Sequence, residues 1–182
     1  MTKGNPWKLI FLFALPLMAG NVFQQLYSVL DTMIVGHLGV HVLAALGASE
    51  WLNFLMLNVI AGLTQGFAID VANSYGAQNK PRLKRAVGNS ILLSAIAAIV
   101  FLLLGQLLLV PILRLLQTPM EAFPYAVTYM RIIFSGIPFI MAYNLFAGIL
   151  RSLGDSKTPL YVVVVSTITN FGFDCLFVFV FQ

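Results

Sequence analysis

Residues 16–39 read PLMAGNVFQQLYSVLDTMIVGHLG, an almost entirely apolar stretch that is long enough to cross a bilayer as a helix. Asn21, Gln24, Tyr27 and Asp31 interrupt it. Steps of three and four residues separate them, so at about 3.6 residues per turn they share one helix face, the first polar stripe. A carboxylate in hydrocarbon costs about 3 kcal/mol, and such groups usually face a bundle interior or a watery cavity. The stretch therefore predicts a membrane helix that lines a cavity.

Composition extends this prediction to the whole chain. Of 182 residues, 60% are hydrophobic and 9% are charged, and the mean hydropathy is +0.94. Soluble domains carry about 25% charged residues, so the sequence predicts an all-α polytopic protein whose surroundings are the lipid bilayer. The net charge of +4 lies in the connections and does not indicate a nucleic-acid partner. The sequence contains no nucleotide-binding loop, zinc-ligand spacing or nucleophile–base pattern, so we expect neither an enzyme nor a cofactor.

The apolar segments predict one membrane domain, residues 1–182, with about five transmembrane helices. The helices are expected at residues 9–35, 43–71, 86–110, 125–150 and 160–182. Pro16 favours a kink in the first helix, and Pro111 is expected to open a loop after the third. Gly62, Gly66, Gly148 and Gly154 are expected to permit close helix approach or tight turns.

The basic residues predict the orientation. An N-terminus in the cytoplasm leaves Arg114 and Arg131 toward the outside and places eight residues inside: Lys3, Lys8, Lys80, Arg82, Lys84, Arg85, Arg151 and Lys157. Because Lys and Arg are enriched in cytoplasmic loops, we expect a multi-pass protein of the cytoplasmic (inner) membrane with its N-terminus inside.

A second polar stripe lies in the fifth predicted helix, where Thr167, Asn170 and Asp174 share one face. We expect the two stripes to face each other and form one cation site. A carboxylate there, Asp31 or Asp174, could take up a proton from one side of the membrane and release it when the site opens to the other, or the carboxylate oxygens could hold Na⁺ together with Asn170. The alternative is that these side chains make only interhelical hydrogen bonds, which are worth about 0.6 kcal/mol each.

Three stretches in order resemble the multidrug and toxic compound extrusion (MATE) family. They are Pro16 with Asn21, Gln24, Tyr27, Asp31-Thr32 and Val35-Gly36; residues 62–87, GLTQGFAIDVANSYGAQNKPRLKRAV; and Arg151-Ser152-Leu153-Gly154-Asp155 with Thr158-Pro159, Asn170 and Asp174. The resemblance implies twelve helices in two six-helix lobes around a cavity that opens alternately to each side. Asp70 departs from the small or apolar residue expected at its position and adds a charge that the resemblance leaves unexplained.

The resemblance also implies a function. Asp31, Tyr27, Asn170 and Asp174 would belong to the cation site of the amino-terminal lobe, and protonation would be linked to bending at Pro16. Entry of H⁺ or Na⁺ would drive export of small organic, often cationic, drugs. Because the chain ends within the fifth predicted helix, we expect it to be the amino-terminal portion of such a transporter. It would lack the carboxy-terminal lobe and could not export drugs unaided.

Three other functions compete with this one. A lipid-linked oligosaccharide flippase of related fold would need several cavity cations for a pyrophosphate, and Arg131 is the one candidate in the sequence. An intramembrane aspartyl protease could use Asp31 and Asp174, but its Gly-x-Gly-Asp pattern is missing. A non-transporting fragment or subunit remains the third alternative.

Overall fold

The computed structural model describes residues 6–35 and 40–179, and within these ranges the chain is helical without any strand. The six helices are α1 (Pro6–Val35), α2 (Val40–Gly76), α3 (Lys80–Leu115), α4 (Phe123–Ser135), α5 (Ile137–Ser152) and α6 (Lys157–Phe179). The all-α class predicted from the apolar segments is therefore confirmed.

Local polar contacts set where two of the helices begin. Asn79 caps α3, because its Oδ1 accepts a hydrogen bond of 3.0 Å from the backbone N–H of Arg82. Asp155 caps α6, since its Oδ1 accepts from the backbone N–H groups of Lys157 and Thr158, at 3.0 Å each. These caps satisfy amides that have no partner within the first turn of a helix.

The fourth predicted helix, residues 125–150, is two helices in the structure. α4 and α5 meet at an angle of 45° around Gly136. Pro138 has no N–H to continue the α4 hydrogen-bond ladder, and the Gly136 N–H bonds back to Ile132 and Ile133. Pro111 has the opposite outcome, since α3 continues through it to Leu115 instead of opening a loop.

Three parts of the described chain are long and apolar enough to cross a membrane. They are Ser49–Gly76 within α2, Lys80–Leu115, and the bent pair α4–α5 counted as one span. Ile10–Leu26 within α1 is a shorter apolar helix. Large apolar side chains on α3, such as Leu92, Ile99 and Leu107, are exposed. Such exposure suits contact with lipid chains.

The chain divides into two compact groups. Residues 40–149 form one, in which α3 packs against α2 and α4 and α2 also packs against α4. Its buried core contains Ile60, Leu109, Met130, Phe134 and Met141. Residues 1–39 and 150–182 form the other group, within which α1 packs against α6.

Two glycines allow close helix contacts in the group of residues 40–149. A Cβ at Gly105 of α3 would lie 2.7 Å from Cδ2 of Phe134 on α4, well inside van der Waals contact. A Cβ at Gly148 of α5 would lie 3.3 Å from the Cβ of Ala68 on α2. Gly148 therefore has the predicted role, whereas Gly62 and Gly66 have no such neighbour within 4 Å.

Candidate functional site

The first polar stripe lies on α1, which continues as a helix through Pro16. Asn21 and Gln24 are exposed, and Pro16 is half-buried. Tyr27 and Asp31 also lie in α1, but their side chains are outside the described part of the structure. Exposed amide groups on an apolar helix are free to contact water or a ligand in a cavity.

The second polar stripe lies on α6, where Thr167, Asn170 and Asp174 are all half-buried. The Oδ1 atom of Asn170 is buried and has no hydrogen-bond donor among the described residues. An unsatisfied buried acceptor costs about 1–3 kcal/mol, so such an atom usually serves a ligand, an ion or a water molecule. Asp174 lies four residues further along α6 and therefore on the same side as Asn170.

A close contact between α1 and α6 identifies the faces that meet. A Cβ at Gly20 would lie 3.6 Å from Cδ1 of Leu160, so these two positions touch. At about 100° per residue, Tyr27 and Asp31 fall within about 20° of Gly20 around α1. Thr167 and Asp174 fall within about 40° of Leu160 around α6. The positions of Tyr27, Asp31, Thr167 and Asp174 therefore continue, along their helices, the faces that are in contact at Gly20 and Leu160. By the same measure Asn21 lies about 100° from Gly20, and Asn170 lies about 80° from Leu160.

Asp31 and Asp174 also lie at similar distances along their helices from the contact between Gly20 and Leu160. The five predicted crossings would send α1 and α6 across the membrane in the same direction. At about 1.5 Å per residue, Asp31 lies about 16 Å beyond Gly20 and Asp174 about 21 Å beyond Leu160. The two aspartate positions therefore differ in level by about 5 Å, less than one helix turn. The packing of α1 on α6 supports the prediction that the two stripes face each other, and the single cation site stays a prediction.

The two stripes contain the oxygen-bearing side chains that suit a small cation. The stripes carry carboxylates, an unsatisfied amide oxygen and a hydroxyl, the ligand types that hard cations prefer and that a proton can neutralise. Among the described residues there is no group of three or more His, Cys, Asp or Glu side chains that could hold a metal ion. The Na⁺ site at Asp31, Asn170 and Asp174 stays a prediction.

Sequence reasoning missed two polar contacts in the group of residues 40–149. Gln106 Nε2 on α3 donates to the backbone oxygen of Arg131 (2.9 Å) and to Ser135 Oγ (3.1 Å), both on α4. Arg82 Nη2 lies 3.2 Å from Asp70 Oδ1 across the α2–α3 connection. Each contact joins residues that are 12 or more positions apart, so no local pattern could have revealed it.

An apolar groove in the same group is a poor alternative site. Its volume is about 170 Å³, and Met56, Phe101 and Phe134 are among its lining residues. Sites for drug-sized molecules measure about 300–1,000 Å³ and include a few polar groups. The groove is too small and too apolar to orient a cationic drug.

The fold defines a polytopic helical membrane protein, and comparison with known proteins identifies its family. Residues 16–176 match the MatE family, to which the chain therefore belongs. The family predicted from the sequence is confirmed, and it is a family of transporters.

Individual relatives agree with this assignment. The chain is 35% identical to the probable multidrug resistance protein YoeA of Bacillus subtilis over 170 residues, covering 93% of this chain and 37% of that protein. It is 33% identical to the probable multidrug resistance protein YpnP of the same organism, covering 100% and 41%. A crystal structure of MATE in the straight conformation superimposes with a TM-score of 0.91 at 27% identity, covering 98% of this chain and 40% of the other. The chain thus spans about two fifths of the length of these proteins.

Proposed function

We propose that this chain is the part of a cation-coupled antiporter that holds the coupling ion. The transporter would exchange H⁺ or Na⁺ for small organic, often cationic, compounds across the cytoplasmic membrane. The names of the two Bacillus subtilis relatives support multidrug export. The observation that carries the proposal is the unsatisfied Oδ1 of Asn170, one turn from Asp174 on a helix that packs against α1.

The residues of the two stripes have distinct roles in this proposal. Asp31 and Asp174 take up the proton or share the Na⁺, and the Asn170 oxygen and Tyr27 hydroxyl complete the set of acceptors. Thr167, Gln24 and Asn21 extend the polar lining. Uptake of the ion neutralises carboxylate charge and so removes the attraction for an organic cation, which is then released. A helix that contains Pro16 can bend where its hydrogen-bond ladder is broken, and this bend is the element that the ion would bias.

Alternating access requires a second set of helices against which these helices can move. The chain spans about two fifths of its relatives, so we propose that transport needs a carboxy-terminal lobe as well. The distribution of Lys and Arg supports a cytoplasmic N-terminus in the inner membrane.

Everted membrane vesicles test the proposal. The chain is co-expressed with the part of YpnP that its match does not cover, and transport of a fluorescent organic cation is followed under an imposed pH or Na⁺ gradient. The gradient that drives transport identifies the coupling ion. Asp31→Asn, Asp174→Asn and Asn170→Ala are expected to lower gradient-driven transport by about five- to 150-fold, the range of typical coupling free energies.

Glu50→Gln is the matched control, because Glu50 is an exposed carboxylate on α2 outside both stripes. It should transport like the unaltered protein. Full gradient-driven transport by Asp31→Asn and Asp174→Asn would overturn the assignment of the site. Equal transport by residues 1–182 without the second lobe would overturn the requirement for that lobe.

A further inference from the structure

The start of α3, directly after the short connection from α2, carries the densest positive charge of the chain. Lys80, Arg82, Lys84 and Arg85 all lie in the first two turns of α3, and all four side chains are exposed. The connection joins Ser49–Gly76 to Lys80–Leu115, the two helices that are long and apolar enough to span a membrane. The charges are therefore at a membrane surface.

The four side chains cover the whole exposed side of the start of α3. At about 100° per residue their positions extend over about 200° of the helix. Ala86 and Ser90, which are buried, occupy the remaining side. The cations thus form a continuous surface, which we call the basic collar.

Backbone amides at the start of α3 already have hydrogen-bond partners, so an anion there would depend on the basic side chains. The Arg82 N–H is taken by Asn79 Oδ1 (3.0 Å), and the Leu83 N–H by the Asn79 backbone oxygen (2.9 Å). Pro81 has no N–H. The backbone of residues 81–83 therefore offers an anion no free amide, and the Lys and Arg side chains supply the charge that can hold one.

Asp70 contributes the one carboxylate that contacts the collar among the described residues. Its Oδ1 lies 3.2 Å from Arg82 Nη2, and the two side chains are 55% and 61% exposed. Such an exposed ion pair is weak and exchanges readily with other ions. Asp70 is also the charge that the family resemblance left unexplained.

We propose that the basic collar binds the phosphate of an anionic phospholipid, and that Asp70 competes with this phosphate for Arg82. Lys and Arg clusters next to a membrane helix attract anionic lipids. Further along α3 the side chains of Ile91 and Leu92 are exposed, at 43% and 61%. The collar thus offers charge for a headgroup, and the adjoining helix surface offers apolar contact for its acyl chains.

The test uses the full chain in mixed micelles that contain equal amounts of phosphatidylglycerol and phosphatidylcholine. Native mass spectrometry measures which lipid stays bound. The collar predicts preferential retention of phosphatidylglycerol, and the preference falls as salt is raised before transfer to the spectrometer. Each basic residue near a surface contributes about fivefold to the partition, so Lys84→Gln with Arg85→Gln should lower the preference by about 25-fold.

Asp70→Asn is the decisive variant, because it frees Arg82 and should raise the preference for phosphatidylglycerol, by up to about fivefold. Arg114→Gln is the matched control, since Arg114 is an exposed arginine at the other end of α3. It removes one positive charge and should leave the preference within about twofold. Circular dichroism establishes that each variant retains its helices.

Three results would overturn the proposal. The first is equal retention of both lipids by the unaltered chain. The second is an effect of Arg114→Gln as large as that of Lys84→Gln with Arg85→Gln, because the binding would then follow net charge alone. The third is an unchanged or lower preference in Asp70→Asn, which would remove Asp70 as a competitor. None of these results depends on transport activity.

Discussion

Gly105→Ala tests the packing of α3 against α4. The added methyl would lie 2.7 Å from Cδ2, 3.0 Å from Cγ and 3.1 Å from Cε2 of Phe134. Phe134 is 3% exposed and belongs to the buried core, so its ring has little room to move away. Overpacking of this kind costs about 1–3 kcal/mol, whereas Ala is favoured over Gly in a helix by about 1 kcal/mol.

Gly88→Ala separates these two effects, because Gly88 lies on the same helix and has no neighbour within 4 Å. It gains helix propensity without a clash, so Gly105→Ala should be less stable than Gly88→Ala by about 1–3 kcal/mol. Unfolding of the purified chain by sodium dodecyl sulfate, followed by circular dichroism, measures the difference. Phe134→Leu should remove most of the penalty in the double variant. Equal stability of the two alanine variants would refute the close contact.

Three further predictions concern single contacts. Gln106→Leu removes two hydrogen bonds to α4 and should destabilise the chain by about 1 kcal/mol in the same assay; no loss would mean that these bonds are exchanged for others. Hydrogen bonds from the Thr158 side chain and backbone hold the pKa of Asp155 below its usual 3.8. The stabilisation is therefore complete above that value and lost as the pH falls through the lower, folded-state pKa. Acid unfolding should show this loss, and Asp155→Asn should abolish that part of the pH dependence. Gly20→Cys with Leu160→Cys, in a background without the native cysteine, should cross-link on oxidation, and failure to cross-link would contradict the packing of α1 on α6.

The sequence predicted those features that depend on local pattern. Apolar runs predict helices, and steps of three and four residues placed Thr167, Asn170 and Asp174 on one face of α6. The break at Gly136 was not predicted, because Pro residues within apolar runs have two outcomes. α3 continues through Pro111, whereas the chain bends just before Pro138.

Contacts between distant residues were beyond sequence reasoning. Gly105 needs its small size because Phe134 packs against it from another helix, and nothing near Gly105 in the sequence indicates this. Gly62 and Gly66 also lie within a long helix, but a Cβ at either position would meet nothing within 4 Å. In the sequence Asp70 is an isolated charge. In the structure the α2–α3 turn places Arg82 Nη2 3.2 Å from Asp70 Oδ1.

In the proposed function, Asp31 and Asp174 act together as one cation site. The decisive measurement is gradient-driven transport by Asp31→Asn, Asp174→Asn and the double variant in the two-part transporter. Residues that act as a unit are non-additive, so the double variant should transport about as poorly as the worse single variant. If instead the fold-loss of the double variant equals the product of the two single fold-losses, so that the free energies add, the two carboxylates act independently. That result would contradict a single site formed by Asp31 and Asp174.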